Sequence, residues 1–288
     1  MPLPRATAWG KLQDVDAQME SYYLDRPLNF AHRGASHEAP ENTLAAFLLA
    51  AELGADGIEL DVQLSKDGEV VVIHDFVLET TTNGQGPVRD RTLAELKGLD
   101  AGSSYDPVFT DQRIPTLQEV IEAVGRQLLL NIELKTKSKR DDALAQAVVR
   151  IVEEHHLLDR IIVSSFNPLA LRQVRNLNPW IPLGLLYAPD QPLILRRPWA
   201  RHLVHPEALH PHHSTIDQPY VRWAKAQGYR IHTWTVDDPG RMWQLMRQGV
   251  DIIITNQPDQ LRQVLLPSPG KPQSPTARLL SASHSQEE

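Results

Sequence analysis

Asn29-Phe-Ala-His-Arg-Gly34 is a short apolar run that ends in an imidazole beside a permanent cation, His32 and Arg33. The pattern of an apolar strand carrying reactive side chains near its end returns three times downstream. It recurs at Gly57-Ile-Glu-Leu-Asp61, at Val70-Val-Val-Ile-His-Asp75 and at Leu130-Asn-Ile-Glu-Leu-Lys135. Working outward, β-branched or apolar runs fall at 29–33, 57–62, 128–134, 161–165, 182–187, 208–213, 230–235 and 251–254. Segments with apolar residues at helical spacing lie between them: 43–53, 117–124, 141–155, 169–177, 220–227, 240–248 and 259–266, with a weaker one over 192–203. Eight strands, each followed by a helix, predict an α/β fold, the (β/α)8 TIM barrel, rather than an open sheet.

One strand breaks the repeat. Val70 to His74 follows the second barrel strand after only the Lys66-Asp-Gly-Glu69 turn, too short for a parallel crossover. It therefore reads as a hairpin extension above the barrel mouth, and the Thr-, Gly- and Asp-rich stretch behind it as an insertion over about 64–115. The predicted organisation is an N-terminal extension over 1–26, a barrel domain over 27–266 and a disordered tail over 267–288. Four prolines and five serines in the tail leave too little apolar surface to offset its ordering entropy.

At 288 residues the chain fits one such barrel plus tails, and 41% hydrophobic residues suffice for a large core. The net charge of −7 argues against nucleic acid or an anionic membrane surface as the main partner, yet a local basic cluster can still hold a small anion. The absence of cysteine excludes disulfides and thiolate metal ligands. The polar, mixed-charge N-terminus lacks a signal peptide's apolar run, and no segment is long enough to span a bilayer. A cytoplasmic protein without stable membrane insertion is the expectation.

Glu59 and Asp61 lie two apart on a strand, hence on one face, with Ile58, Leu60 and Val62 opposite. If that face is the barrel interior, two unpaired carboxylates are very costly unless a cation compensates. Glu133 ends the neighbouring barrel strand and can reach the same point. Three carboxylates without sulfur suit one hard divalent cation, Mg²⁺ or Ca²⁺; the alternative is an ion network with Arg33 and Lys135. With the ion and both cations the site carries about +1, matched to a singly charged phosphodiester. His32 and His74 arrive from different strands, one for each side of a bound phosphorus. An in-line displacement needs a base at the entering oxygen and an acid at the leaving one.

His32-Arg-Gly, Pro40-Glu-Asn-Thr43, Glu59-Leu-Asp61, His74-Asp75, Glu133-Leu-Lys135, Ser164-Ser-Phe166 and Trp234-Thr-Val236 occur in an order and spacing that resembles the glycerophosphodiester phosphodiesterase family, over about residues 29–262. The resemblance implies a barrel with an insertion, a divalent ion on Glu59, Asp61 and Glu133, and His32 with His74 as an acid–base pair. It further implies Arg33 and Lys135 on phosphate, with Phe166 and Trp234 walling the glycerol side. The implied reaction is hydrolysis of a small glycerophosphodiester to sn-glycerol 3-phosphate and an alcohol. Two alternatives stay open: a lysophospholipase D-type activity, which needs an apolar channel or membrane-facing patch, and a silent phosphodiester-binding protein. Glu79 stands where the family commonly has arginine, and Asp237 and Asn256 replace its usual Asn and Asp.

Glu41 and Asn42 are expected to order the loop into the first helix, with Asn42 as its cap. His205, His210, His212 and His213 read as surface and strand-end residues near Pro206 and Pro211. Trp180, Trp199, Trp223 and Trp243 read as packing residues.

Overall fold

Eight parallel strands close on themselves in the computed structural model, which describes residues 22–24, 26–137 and 143–266. They are β1 (Leu28–His32), β2 (Gly57–Leu64), β4 (Leu129–Leu134), β5 (Ile161–Ser165), β6 (Leu183–Tyr187), β7 (Ala208–Pro211), β8 (Arg230–Thr233) and β9 (Ile252–Thr255). Pairing of β1 with both β2 and β9 seals the barrel. The ninth strand, β3 (Val70–Val72), pairs antiparallel with the end of β2 through Val62 and Val72, as the hairpin reading requires. Residues 1–21 and 267–288 fall outside the described residues, as does the start of the helix predicted over 141–155.

Short βα turns are built from capping chemistry. Thr43, Asn167, Asp217 and Asp238 each accept a backbone N–H from the first turn of the helix that follows. Three of those helices also carry a proline in that turn, where its missing N–H costs nothing. Asn42 is not the cap of the first helix, Leu44–Glu52; the shorter hydroxyl of Thr43 takes that role, and Asn42 is drawn into the barrel instead. The helix expected over 192–203 is also absent as such. Pro198 breaks it into a 3₁₀ turn, Leu193–Leu195, and a single turn, Arg201–Val204.

The main core lies between the strands and the outer ring of helices. Ile58, Leu60 and Val62 of β2 pack there with Phe47, Leu117 and Val120. A fully buried side chain of this kind contributes about 1.5–3 kcal/mol. Within the stretch read as an N-terminal extension, Tyr22 and Tyr23 belong to the barrel. Tyr22 packs with Leu28, Phe30, Ile252 and Ile254, and Tyr23 hydrogen-bonds His232 at 2.7 Å. The insertion has a small core of its own: Val71, Ile73, Leu78, Val88, Leu96, Ala101 and Ile114.

Candidate active site

Outward apolar residues on β2 force Gly57, Glu59, Asp61 and Gln63 onto the inner face. Glu59 and Asp61 are 4% and 1% exposed, and Glu133 reaches them from β4, where Asp61 and Glu133 are register partners. One oxygen from each of the three carboxylates lies within 4.8 Å of the others, the only such acidic or histidine cluster among the described residues. Burial and then repulsion from Asp61 and Glu133 push Glu59 well above the usual carboxylate range. Burial raises Glu133 too, against the pull of Lys135. Asp61 is pushed up by burial, but Lys135 and Arg33 outweigh that and hold it low. The cluster is thus short of positive charge at Glu59 and Glu133, and three hard oxygens at this spacing fit a divalent cation.

Arg33 follows β1 in a left-handed conformation, φ 56°, uncommon for a non-glycine residue. Its N–H donates to Glu59 O at 2.9 Å, and its carbonyl accepts Asn42 N–H at 2.9 Å. The guanidinium spans Glu41, at 2.9 and 3.0 Å, and Asp61, at 3.3 Å. Lys135 Nζ stands 3.0 Å from Glu133 and 3.7 Å from Asp61. Asn42 Nδ2 donates to Asp61 Oδ2 at 2.9 Å, and its own Oδ1 accepts the Asp61 N–H at 3.3 Å. These contacts explain the Pro40-Glu-Asn-Thr43 motif: one residue orients the arginine, the next a carboxylate, the last starts the helix.

The two histidines have different partners. His32 Nδ1 is 2.7 Å from Asn256 Oδ1, and its Nε2 is 3.9 Å from Glu59. Asn256 donates through Nδ2 to Asp237 at 2.6 Å, which turns its carbonyl oxygen towards His32. An amide oxygen can only accept, so Nδ1 carries the proton and Nε2 keeps its lone pair. Burial, reinforced by the Arg33 charge, lowers His32 to about 4, so the ring is neutral near pH 7. His74 is less buried and sits 3.1 Å from Asp75. Burial lowers it as well, but Asp61 and Asp75 work against that shift.

His32, Arg33, Glu59, His74, Glu133, Lys135, Phe166 and Trp234 line one cleft, with Asp61 directly behind it. All nine expected site residues therefore converge. Phe166 and Trp234 meet edge to face, centroids 5.6 Å apart, and Trp234 Nε1 donates to His210 O at 2.9 Å. Sequence reasoning missed Asn131, which lines the cleft, and the Asp237–Asn256 relay behind His32. It missed Gln63, whose Nε2 lies 2.8–3.1 Å from the carbonyls of Ile73, His74 and Asp75. Of the histidines near Pro206 and Pro211, His205 is exposed and His212 and His213 are partly exposed, but His210, near the end of β7, is wholly buried in the barrel, its ring 4.5 Å from that of His232. Trp199 and Trp243 are 60% and 52% exposed, so neither is a packing residue.

Comparison with known proteins agrees with this geometry. The model of the "Glycerophosphoryl diester phosphodiesterase family" matches residues 32–260. A glycerophosphodiester phosphodiesterase of Caldanaerobacter subterraneus subsp. tengcongensis is 44% identical over 238 residues, covering 82% of this chain and 96% of that one. The solved structure of an Oleispira antarctica phosphodiesterase, in complex with its product sn-glycerol-3-phosphate, aligns with a TM-score of 0.77 at 35% identity, over 85% of this chain and 98% of that one. A glycerophosphodiester phosphodiesterase from Thermotoga maritima aligns at 0.68 and 30% identity, over 84% and 100%. A barrel with this acidic cluster between two histidines, matched along most of its length, belongs to the glycerophosphoryl diester phosphodiesterase family.

Proposed function

We propose that this chain hydrolyses small glycerophosphodiesters to sn-glycerol 3-phosphate and an alcohol, with one divalent cation, Mg²⁺ or Ca²⁺, and with His32 and His74 as the acid–base pair. The observation that carries the reading is the buried cluster of Glu59, Asp61 and Glu133, oxygens within 4.8 Å, in a cleft that also presents two imidazoles and two cations. The product held by the Oleispira antarctica relative supports the same substrate class. Glu59, Asp61 and Glu133 would hold the ion, which when bound stabilises negative charge building on the phosphate oxygens.

Arg33 and Lys135 bind the phosphate, and the Phe166–Trp234 wall packs on the glycerol carbons. His32 Nε2, left free by the Asn256 contact on Nδ1, takes the proton of the attacking oxygen, which is water or the substrate's own glycerol hydroxyl; in the second case water then opens the cyclic phosphate to sn-glycerol 3-phosphate. A new P–O bond forms as the P–O bond to the alcohol breaks. His74 gives its proton to the departing alkoxide; Asp61 and Asp75 favour the imidazolium that this needs. No helix among the described residues is long and apolar enough to cross a membrane.

Purified protein should release sn-glycerol 3-phosphate from a panel of glycerophosphodiesters, lose activity in EDTA and regain it with Mg²⁺, Ca²⁺ or Mn²⁺. His32→Ala and His74→Ala should each lower kcat by about 100-fold or more while unfolding at the wild-type temperature. Turnover indifferent to chelation would sink the metal assignment, and near-normal kcat in either variant would sink the acid–base pair.

A further inference from the structure

A cavity of about 620 Å³ lies apart from the catalytic cleft. It opens between the segments that follow β6 and β7, on the same end of the barrel as the active site. Leu186 faces the cleft while the next residue, Tyr187, faces this second cavity, so the wall of β6 separates the two. Its lining combines Tyr187, Trp199, Tyr220 and Trp223 with Arg196, Arg197 and Arg201. Among the described residues no acidic side chain lines it, and none occurs in the sequence from Gln191 to Pro206. Arg201 lies over Trp223, 5.4 Å from the ring, and none of the three arginines forms an ion pair among the described residues.

The same segment exposes apolar surface that the fold leaves uncovered. Leu193 is 77% exposed, Trp199 60% and Leu203 42%, and Arg196 and Arg197 stand between the first two. A small soluble anion would satisfy the arginines but leave Leu193 and Trp199 in water. A bilayer surface covers both kinds of group: Trp and Leu enter the interface while guanidinium groups meet phosphate. The chain's net charge of −7 does not forbid this. Charges farther away than about 8 Å are largely screened at physiological salt, so the local excess of three cations governs the encounter.

We propose that the Leu193–Leu203 segment and the cavity beside it dock the barrel peripherally on anionic phospholipid bilayers, without membrane insertion of any helix. The arginines take lipid phosphates, the aromatic cavity receives one lipid, and the catalytic mouth is held near the surface. This does not depend on the catalytic assignment, because it concerns a second cavity and is read without substrate.

The test is co-sedimentation of the full chain with phosphatidylcholine vesicles, with and without phosphatidylglycerol. Wild-type protein should bind the phosphatidylglycerol vesicles far more strongly, and less so at high salt. The double variant Arg196→Ala/Arg197→Ala should bind them about 30-fold more weakly, from roughly fivefold per surface cation. Trp199→Ala should also weaken binding, and both variants should unfold at the wild-type temperature because all three side chains are exposed. Equal binding with and without phosphatidylglycerol, or wild-type binding by either variant, overturns the proposal. So does release of bound protein by inorganic phosphate at constant ionic strength, since the ligand would then be a free anion.

Discussion

His32 and Asn256 meet at 2.7 Å across 224 residues of sequence. That contact decides what the histidine can do, because Asp237 accepts from the Asn256 amide nitrogen and leaves the amide oxygen, which can only accept a hydrogen bond, facing the ring. Asn256→Asp replaces the neutral acceptor with a carboxylate, which favours the imidazolium. His32 stands at about 4, lowered by burial and by Arg33, so the free base exists above that pH and is lost as pH falls through it. In the variant the value rises, so the acid limb of kcat/KM against pH should move to higher pH. An unmoved limb would show that another group controls it. Seven of the nine site residues were legible because each carries charge or a titrating ring near a strand end, where a core has no use for them; Phe166 and Trp234 were legible only through the resemblance. Asn131 was not, and Asp237 and Asn256 stood out only as departures from the family's motifs, since a neutral amide or a loop acid looks like any turn residue until its distant partner is placed.

Elements bring His74 to the site by a route outside the barrel repeat. The four-residue turn at Lys66–Glu69 made the β2–β3 hairpin readable from sequence, because no parallel crossover fits in it. What fixes the strand beyond Val72 was less visible. Gln63 is 4% exposed, and its amide nitrogen touches three successive carbonyls through the His74 turn. It continues the inward row of Glu59 and Asp61, so alternation alone could have singled it out. Gln63→Ala leaves those carbonyls unpaired, at a cost of about 1–3 kcal/mol. Activity should drop about tenfold or more through kcat, from misplacement of His74. A variant with the full loss in stability but unchanged kcat would show the turn is held by the insertion core instead. The segment over 192–203 failed as a helix for a local reason: its apolar spacing is helical, but Pro198 removes the N–H that the next turn would need.

At the scale of the whole barrel, the apolar cluster of Tyr22, Leu28, Phe30, Ile252 and Ile254 reaches the cleft through Ile254 and through Trp234, which packs against it. Asn131, Ser164, His210 and His232, all buried, lie inside the barrel as well. Both ring nitrogens of His210 lack a hydrogen-bond partner among the described residues, and Gly184 gives the ring its room, since a Cβ there would come within 2.3 Å of Nε2. Barrel closure could be read from strand count, but this polar filling could not, because His210 sits in the sequence among histidines that do face solvent. Burial lowers His210 to about 3 and His232 well below its ordinary 6.5, the latter also through His210. Both are therefore neutral when folded, whereas in the unfolded chain they take protons below about 6.5. Their stability contribution is complete above that pH and is lost as pH falls, at about 1.4 kcal/mol per unit for each group, down to about 3 for His210. Denaturant unfolding followed from pH 8 to pH 5 should show this decline beginning near 6.5. His210→Leu removes one of the two protons, so the difference in stability between the variant and the wild type should grow in the variant's favour as pH falls. Parallel curves for the two proteins across that range would mean that His210 is already protonated in the fold and finds a partner there.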